Sequence, residues 1–263
     1  MKRRYLLRCA TFSLLVVISI SASPKQAGAQ NAYGKKAKPQ DTTSPSSPSA
    51  PTFRKAFVID DRLSALRRKP DLQGEVIRRL RLGHVVYIVG TSKPARVEAP
   101  FCRVAVTRRT RGWIHKSALA VQGRAGEDQR ILKLIEAAEG TDKITLCRLL
   151  NESFSHSRFV PRCMLLLGEE AERIAETLSQ RIRRRLGEVR GAAAGVRDYY
   201  LSDASLDRYS KLGVVFDFND STIEFVYDGK AYREVIKRFP ASEEAALALQ
   251  HLETAGKKTS SKR

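Results

Sequence analysis

The chain has 263 residues, with 48 Lys and Arg against 28 Asp and Glu, for a net charge of +20. It is long enough for one or two compact cores, and its composition is otherwise that of an ordinary soluble protein. Four cysteines, one of them inside an N-terminal leader-like segment, exclude more than one intramolecular disulfide in the remainder.

Lys2, Arg3, Arg4 and Arg8 form a basic head, Ala10 to Ile20 an apolar run, and small residues end in Ala27-Gly28-Ala29. That order predicts a secretory signal peptide over residues 1–29, cleaved after Ala29, with Ser23 as the alternative. The apolar run is far shorter than the about 20 residues of a membrane span, so no transmembrane span is expected in the mature chain. Cys9 precedes the run and cannot serve as a lipoprotein cysteine. The expected location is the periplasm or the exterior. Residues 30–52, rich in Ser, Pro and Lys and nearly free of apolar groups, read as a disordered linker.

From Phe53 the texture is that of short strands. Lys55–Ile59, Leu63–Arg67, Val76–Leu80, His84–Gly90, Phe101–Thr107 and Arg111–Lys116 alternate with turn material such as Pro70-Asp71 and Arg108-Arg109-Thr110. The run Val85 to Val89 reads as a strand buried on both faces. Six short strands within residues 53–121 predict a small barrel. After Gln122 helical periodicity takes over: Glu127–Ala138, Asp142–Phe154, Pro161–Arg190 and Ser205–Leu212. In the third of these, Met164, Leu167, Ala171, Ile174, Ala175, Leu178, Ile182 and Leu186 recur at steps of three and four. Strands at Val214–Phe218 and Ile223–Tyr227 and helices at Ala231–Arg238 and Ser242–Thr254 complete a mainly helical region over 122–256, before a disordered, polar and basic tail expected at 257–263. The expected class is therefore α+β, a small all-β barrel followed by helices.

The charge is not spread evenly. Residues 53–121 hold sixteen basic and five acidic side chains, a net +11, whereas residues 122–256 net −2. A dense positive field favours anionic partners. Three clusters carry it: Arg67, Arg68 and Lys69; Arg78, Arg79 and Arg81; and Arg108, Arg109 and Arg111. The first and third fall in predicted loops, where arginine can grip carboxylates or phosphates with paired donors. Trp113 and Tyr87 read either as the floor of a ligand groove or as core. The run Arg181 to Arg185 reads as one polar helix face, and so does Glu169-Glu170.

Leu63, Arg67-x-x-Pro70, Val76-Ile77, Leu80, Gly83, Val85-Val86, Arg103-Val104, Gly112-Trp113-Ile114 and Leu119 follow the order and spacing of the bacterial SH3 (SH3b-type) domain family, which residues 57–121 resemble. The chain departs from the family pattern at Lys69, where glycine is common, and at Phe101, where tryptophan is. The resemblance implies an extracytoplasmic recognition module for cell-wall peptides or envelope proteins. Ala231-Tyr232, Phe239-Pro240-x-Ser242 and Ala245-Ala246 resemble the end of a tetratricopeptide-type repeat, in one copy only.

No pattern for catalysis is present. His84, His115, His156 and His251 are scattered without metal spacing, and Cys102, Cys147 and Cys163 lack the context of a wall thiol peptidase. Cys147 and Cys163 read as buried thiols, or as a disulfide if their helices form a hairpin. No cofactor, metal or nucleic-acid partner is expected. The sequence points to a non-catalytic exported protein that binds an anionic cell-wall polymer or envelope protein, with peptidoglycan as the leading target. Arg67, Arg68, Lys69, Arg108, Arg109, Arg111 and Trp113 are the candidate contacts. An adaptor using the helical region is the alternative, and an envelope hydrolase the third.

Overall fold

The computed structural model describes residues 53–90, 100–188 and 206–260. The expected signal peptide and linker lie outside these residues. The described part is mixed α+β, a seven-stranded antiparallel sheet followed by helices.

The sheet consists of β1 (Arg54–Val58), β2 (Ala65–Arg67), β3 (Val76–Arg79), β4 (Val85–Gly90), β5 (Phe101–Ala105), β6 (Arg111–His115) and β7 (Leu119–Val121), with a 3-10 turn at Lys116–Ala118 before the last strand. Their order is β3-β2-β6-β5-β4-β1-β7. Ala56, Val58, Leu66, Val86, Cys102, Val104, Ile114 and Leu119 fill the inner face. All the residues of that cluster come from the sheet region itself, so the sheet must curl round its own side chains. Gly112 is required there, because a Cβ would strike the Arg67 carbonyl and the Leu66 side chain at 2.8 Å.

The helices are α1 (Glu127–Ala137), α2 (Gly140–Ser153), α3 (Val160–Glu188), α4 (Leu206–Lys211), α5 (Lys230–Arg238) and α6 (Glu243–Ser260), with the hairpin β8 (Phe216–Asn219) and β9 (Glu224–Tyr227) between α4 and α5. α6 runs beyond the predicted end at Thr254 to Ser260, so the helix takes in the first four residues of the tail expected to be disordered. β9 starts one residue later than expected because Ile223 sits in the left-handed region, at φ 55°. Glu170 is 3% exposed rather than on a solvated face. Its carboxylate accepts the Gly140 N–H at the start of α2 and pairs with Arg173, so it caps a neighbouring helix from α3.

The sheet and the helices share a core. Phe57 of β1, Ile59 just beyond it and Ala120 of β7, with Val85 of β4, pack among Ile131, Leu150, Cys163 and Leu165. The Phe57 ring lies 6.1 Å from that of Phe154. Polar ties close the seam: the Arg130 guanidinium donates to the carbonyls of Ser117 and Leu119 at 2.8 Å each, and Gln122 Nε2 donates to Ser153 O at 3.0 Å. Arg130 is held in turn by Glu127, a carboxylate 4% exposed.

Excised residues 53–121 expose Phe57, Ile59, Val85 and Ala120, and removing a buried phenylalanine contact of this kind costs about 3–5 kcal/mol. The excised sheet is expected to bind a hydrophobic dye and unfold at lower urea than the 30–263 chain. An excised sheet that stays monomeric with an unchanged urea midpoint would contradict the shared core.

At Gly168 of α3 a Cβ would overlap the Tyr232 ring. Gly168→Ala should therefore lower stability by about 1–3 kcal/mol in urea titration. Gly256→Ala, where nothing lies near, should be neutral or slightly stabilising.

Candidate functional site

The register of the strands decides which side chains meet. β2 runs antiparallel to β6 with Arg67 opposite Trp113, and β6 runs antiparallel to β5 with Trp113 opposite Arg103. Directly opposed residues share a face, with Cβ atoms about 5 Å apart. Because Gly112 and Ile114 point inward with Val104 and Cys102, Trp113 points outward, flanked by an arginine on each neighbouring strand. Val76 of β3 continues this row beyond Arg67. A second outward row runs Arg111–Ala105–Tyr87–Lys55 across β6, β5, β4 and β1.

The same register gathers the two predicted loop clusters. β2 leaves the sheet at Arg67 alongside the entry of β6, so the β2–β3 connection with Arg68 and Lys69 neighbours the β5–β6 turn with Arg108 and Arg109. That turn is fixed by Thr107, whose Oγ1 accepts the amides of Arg109 and Thr110 at 3.3 and 2.9 Å. Arg111 opens β6 immediately behind it. Six cations separated by 40 residues of sequence thus reach one end of the β2–β6–β5 segment, with Trp113 just behind them.

These cations are not equivalent. Arg67 Nη1 donates to the Gly74 carbonyl at 2.7 Å, which holds the β2–β3 connection and occupies part of its guanidinium. Arg68 pairs with Glu75 at 2.8 Å, both about two-thirds exposed, a contact worth little in water. Lys69, Arg103, Arg108, Arg109 and Arg111 are exposed and have no acidic partner among the described residues. Asp60, the other paired acid of the sheet, is taken by Arg62 at 3.1 Å, which holds its carboxyl below the usual carboxylate range. The open end of the sheet therefore keeps an unneutralised positive field, suited to paired hydrogen bonds with carboxylates or phosphates and to packing of a flat ligand surface on the indole.

Arg103 escaped the sequence reading as a single arginine inside the apolar strand Phe-Cys-Arg-Val-Ala. The period-two alternation of that strand is the signal that turns it outward with Trp113. Tyr87 is 43% exposed, so β4 is covered on its inner face and only in part on its outer one. The helices cover Val85 and stop short of Tyr87.

Elsewhere a cavity of about 960 Å³ opens between α3, β9 and α6. Glu169, Glu172 and Glu176 of α3 and His251 of α6 line it above Phe225 and Tyr227. His251 Nδ1 lies 2.9 Å from Glu172 Oε2 and 3.3 Å from the Tyr232 hydroxyl, whose proton burial and the Glu172 charge make harder to lose. The one hydroxyl of α3 in the lining that could serve a nucleophile's role, Ser179 Oγ, is spent in structure: it donates to Ala175 O at 2.7 Å and accepts the Phe225 N–H at 2.8 Å. The thiols are buried; Cys163 donates to the Cys147 carbonyl at 3.2 Å, and its hydrogen bond to Cys147 and burial hold it well above the ordinary thiol range. Burial likewise raises Cys102. Among the described residues no group of three or more His, Cys, Asp or Glu could hold a metal, and no helix is long and apolar enough to cross a membrane.

The chain has a single tryptophan, which makes the outward position of Trp113 directly measurable. Trp113→Ala should lower stability by less than about 1.5 kcal/mol, against about 3–5 for a core tryptophan. Its fluorescence should be quenched by acrylamide in the native state. A loss in the core range, or a shielded indole, would return Trp113 to the interior.

Comparison with known protein families, with curated proteins and with solved structures returns no match to this chain.

Proposed function

We propose that this chain is a non-catalytic, exported binding protein whose sheet is an SH3-like barrel that recognises anionic cell-wall or envelope material. The observation that carries this reading is the convergence of Arg68, Lys69, Arg108, Arg109 and Arg111 on one end of the sheet, beside an outward Trp113 between Arg67 and Arg103. A sheet whose inner face is filled by its own side chains supports the barrel. The leader-like residues 1–29 support export, and export would bring the cationic end to a polyanion outside the cytoplasm. Peptidoglycan stem peptides and anionic glycans present the carboxylates that arginine grips in pairs.

Because the sheet shares its core with the helices, the test uses the whole mature chain, residues 30–263, incubated with protein-stripped cell-wall sacculi across a salt series. The chain should pellet at low salt and be released as salt rises, since screening weakens exposed charge pairs. Arg108→Glu with Arg109→Glu should cut retention by at least about tenfold, Arg103→Glu should also weaken it, and Trp113→Ala should weaken it without changing its salt dependence. Wild-type protein left in the supernatant at low salt would sink the proposal and turn attention to protein partners of the helices.

A further inference from the structure

Strand β3 ends the sheet, paired with β2 and with no other strand among the described residues. All four of its residues, Val76, Ile77, Arg78 and Arg79, are exposed, at 42% for Val76 and 39% for Ile77, and Leu72 ahead of it is 58% exposed. The Leu80 N–H donates inward to Ser64 O at 3.2 Å. The alternation of an antiparallel ladder therefore turns the amide and carbonyl of Arg79 to the free edge. Arg79 lies opposite Ala65 and Arg78 opposite Leu66, so the two guanidiniums leave on opposite faces of the strand. Neither forms an ion pair among the described residues, nor does Arg81. The edge thus offers unpaired backbone groups, two β-branched side chains and an arginine on each face.

An open edge is a template for another strand, and charge decides which. A second copy of this chain would set four unpaired guanidiniums along one two-stranded seam. The chain's own residues 30–52 carry a net positive charge and are repelled in the same way. We propose that the β3 edge is a docking site for an extended acidic segment of a partner protein, added as an eighth strand. In antiparallel register, acidic residues fall opposite Arg79 and Arg78 and apolar β-branched residues opposite Ile77 and Val76. The preferred core motif is therefore two acids followed by two β-branched residues. The arginines that bar self-pairing are what select the partner. This site adjoins the outward Trp113 row at Val76 but uses the free backbone edge of β3, and it stands whether or not the chain binds cell wall.

The test adds the acetylated, amidated peptide Thr-Glu-Glu-Val-Val-Thr to the isotope-labelled 30–263 chain. Saturable binding is expected, with a shifted and exchange-protected Arg79 amide; Thr-Lys-Lys-Val-Val-Thr should not bind. Arg79→Pro removes the outward N–H and should weaken binding by about tenfold. Arg78→Ala with Arg79→Ala leaves the backbone intact, serves if the proline variant does not fold, and should weaken binding by a similar factor. Trp113→Ala should leave peptide affinity unchanged. Equal binding of the lysine peptide, undiminished affinity in both edge variants, an unprotected Arg79 amide, or a β3-mediated dimer of the free chain would each overturn the proposal.

Discussion

The fold turns on an apolar patch on the wrong side of a small sheet. A sheet that encloses its own core needs nothing further on its outside, yet Phe57 and Ala120 face outward from β1 and β7 and are 2% and 0% exposed. Their burial requires the helical layer, and the helical layer requires them, because Ile131, Ile135, Leu150 and Leu165 belong to the same cluster. Stability in this molecule is therefore not divisible at residue 121, where the texture of the sequence changes from strand to helix. Burying aromatic and branched side chains of this size contributes on the order of 1.5–3 kcal/mol each, enough for a few residues to decide whether the two parts fold together.

Electrostatics reinforces that seam at one point. Glu127 is nearly buried, which is costly for an unpaired carboxylate, and Arg130 offsets the cost while reaching across to two carbonyls of the sheet. Glu170 plays the corresponding part inside the helical layer, tying α2 to α3 through a helix N-terminus. Both acids lie within the region that nets −2, and both are consumed by structure. The cations of the sheet's open end have no such employment among the described residues, apart from Arg67 and Arg68.

Much of the secondary structure is written locally. All six strands expected from β-branched alternation are present, and the stripe from Met164 to Ile182 is buried along α3 with only Leu167 partly exposed. β7 was missed because three residues carry no period. Tyr87 was misjudged because a continuous run of Val, Tyr and Ile tells that a strand is apolar, not which face another layer covers. The same limit applies to Trp113: its neighbours Gly112 and Ile114 fix its parity only once the inner face is known. Glu170 could not be read at all, since its role depends on where α2 begins in space. As for the site, the arginine clusters were legible as loops, but their meeting at one end follows from the antiparallel register of β2 with β6, which no local pattern encodes.

One constraint links these features. A small sheet has an inner face, an outer face and two edges, and here each is assigned separately. The inner face is filled by its own side chains, and the β7–β1–β4 part of the outer face is given to the helices. The β5–β6–β2 part, Tyr87 of β4 and the β3 edge remain in water, and they carry most of the sheet's unpaired arginines. Arg103, Arg108, Arg109 and Arg111, which no described acid neutralises, thus lie on the part of the sheet that the helices leave free.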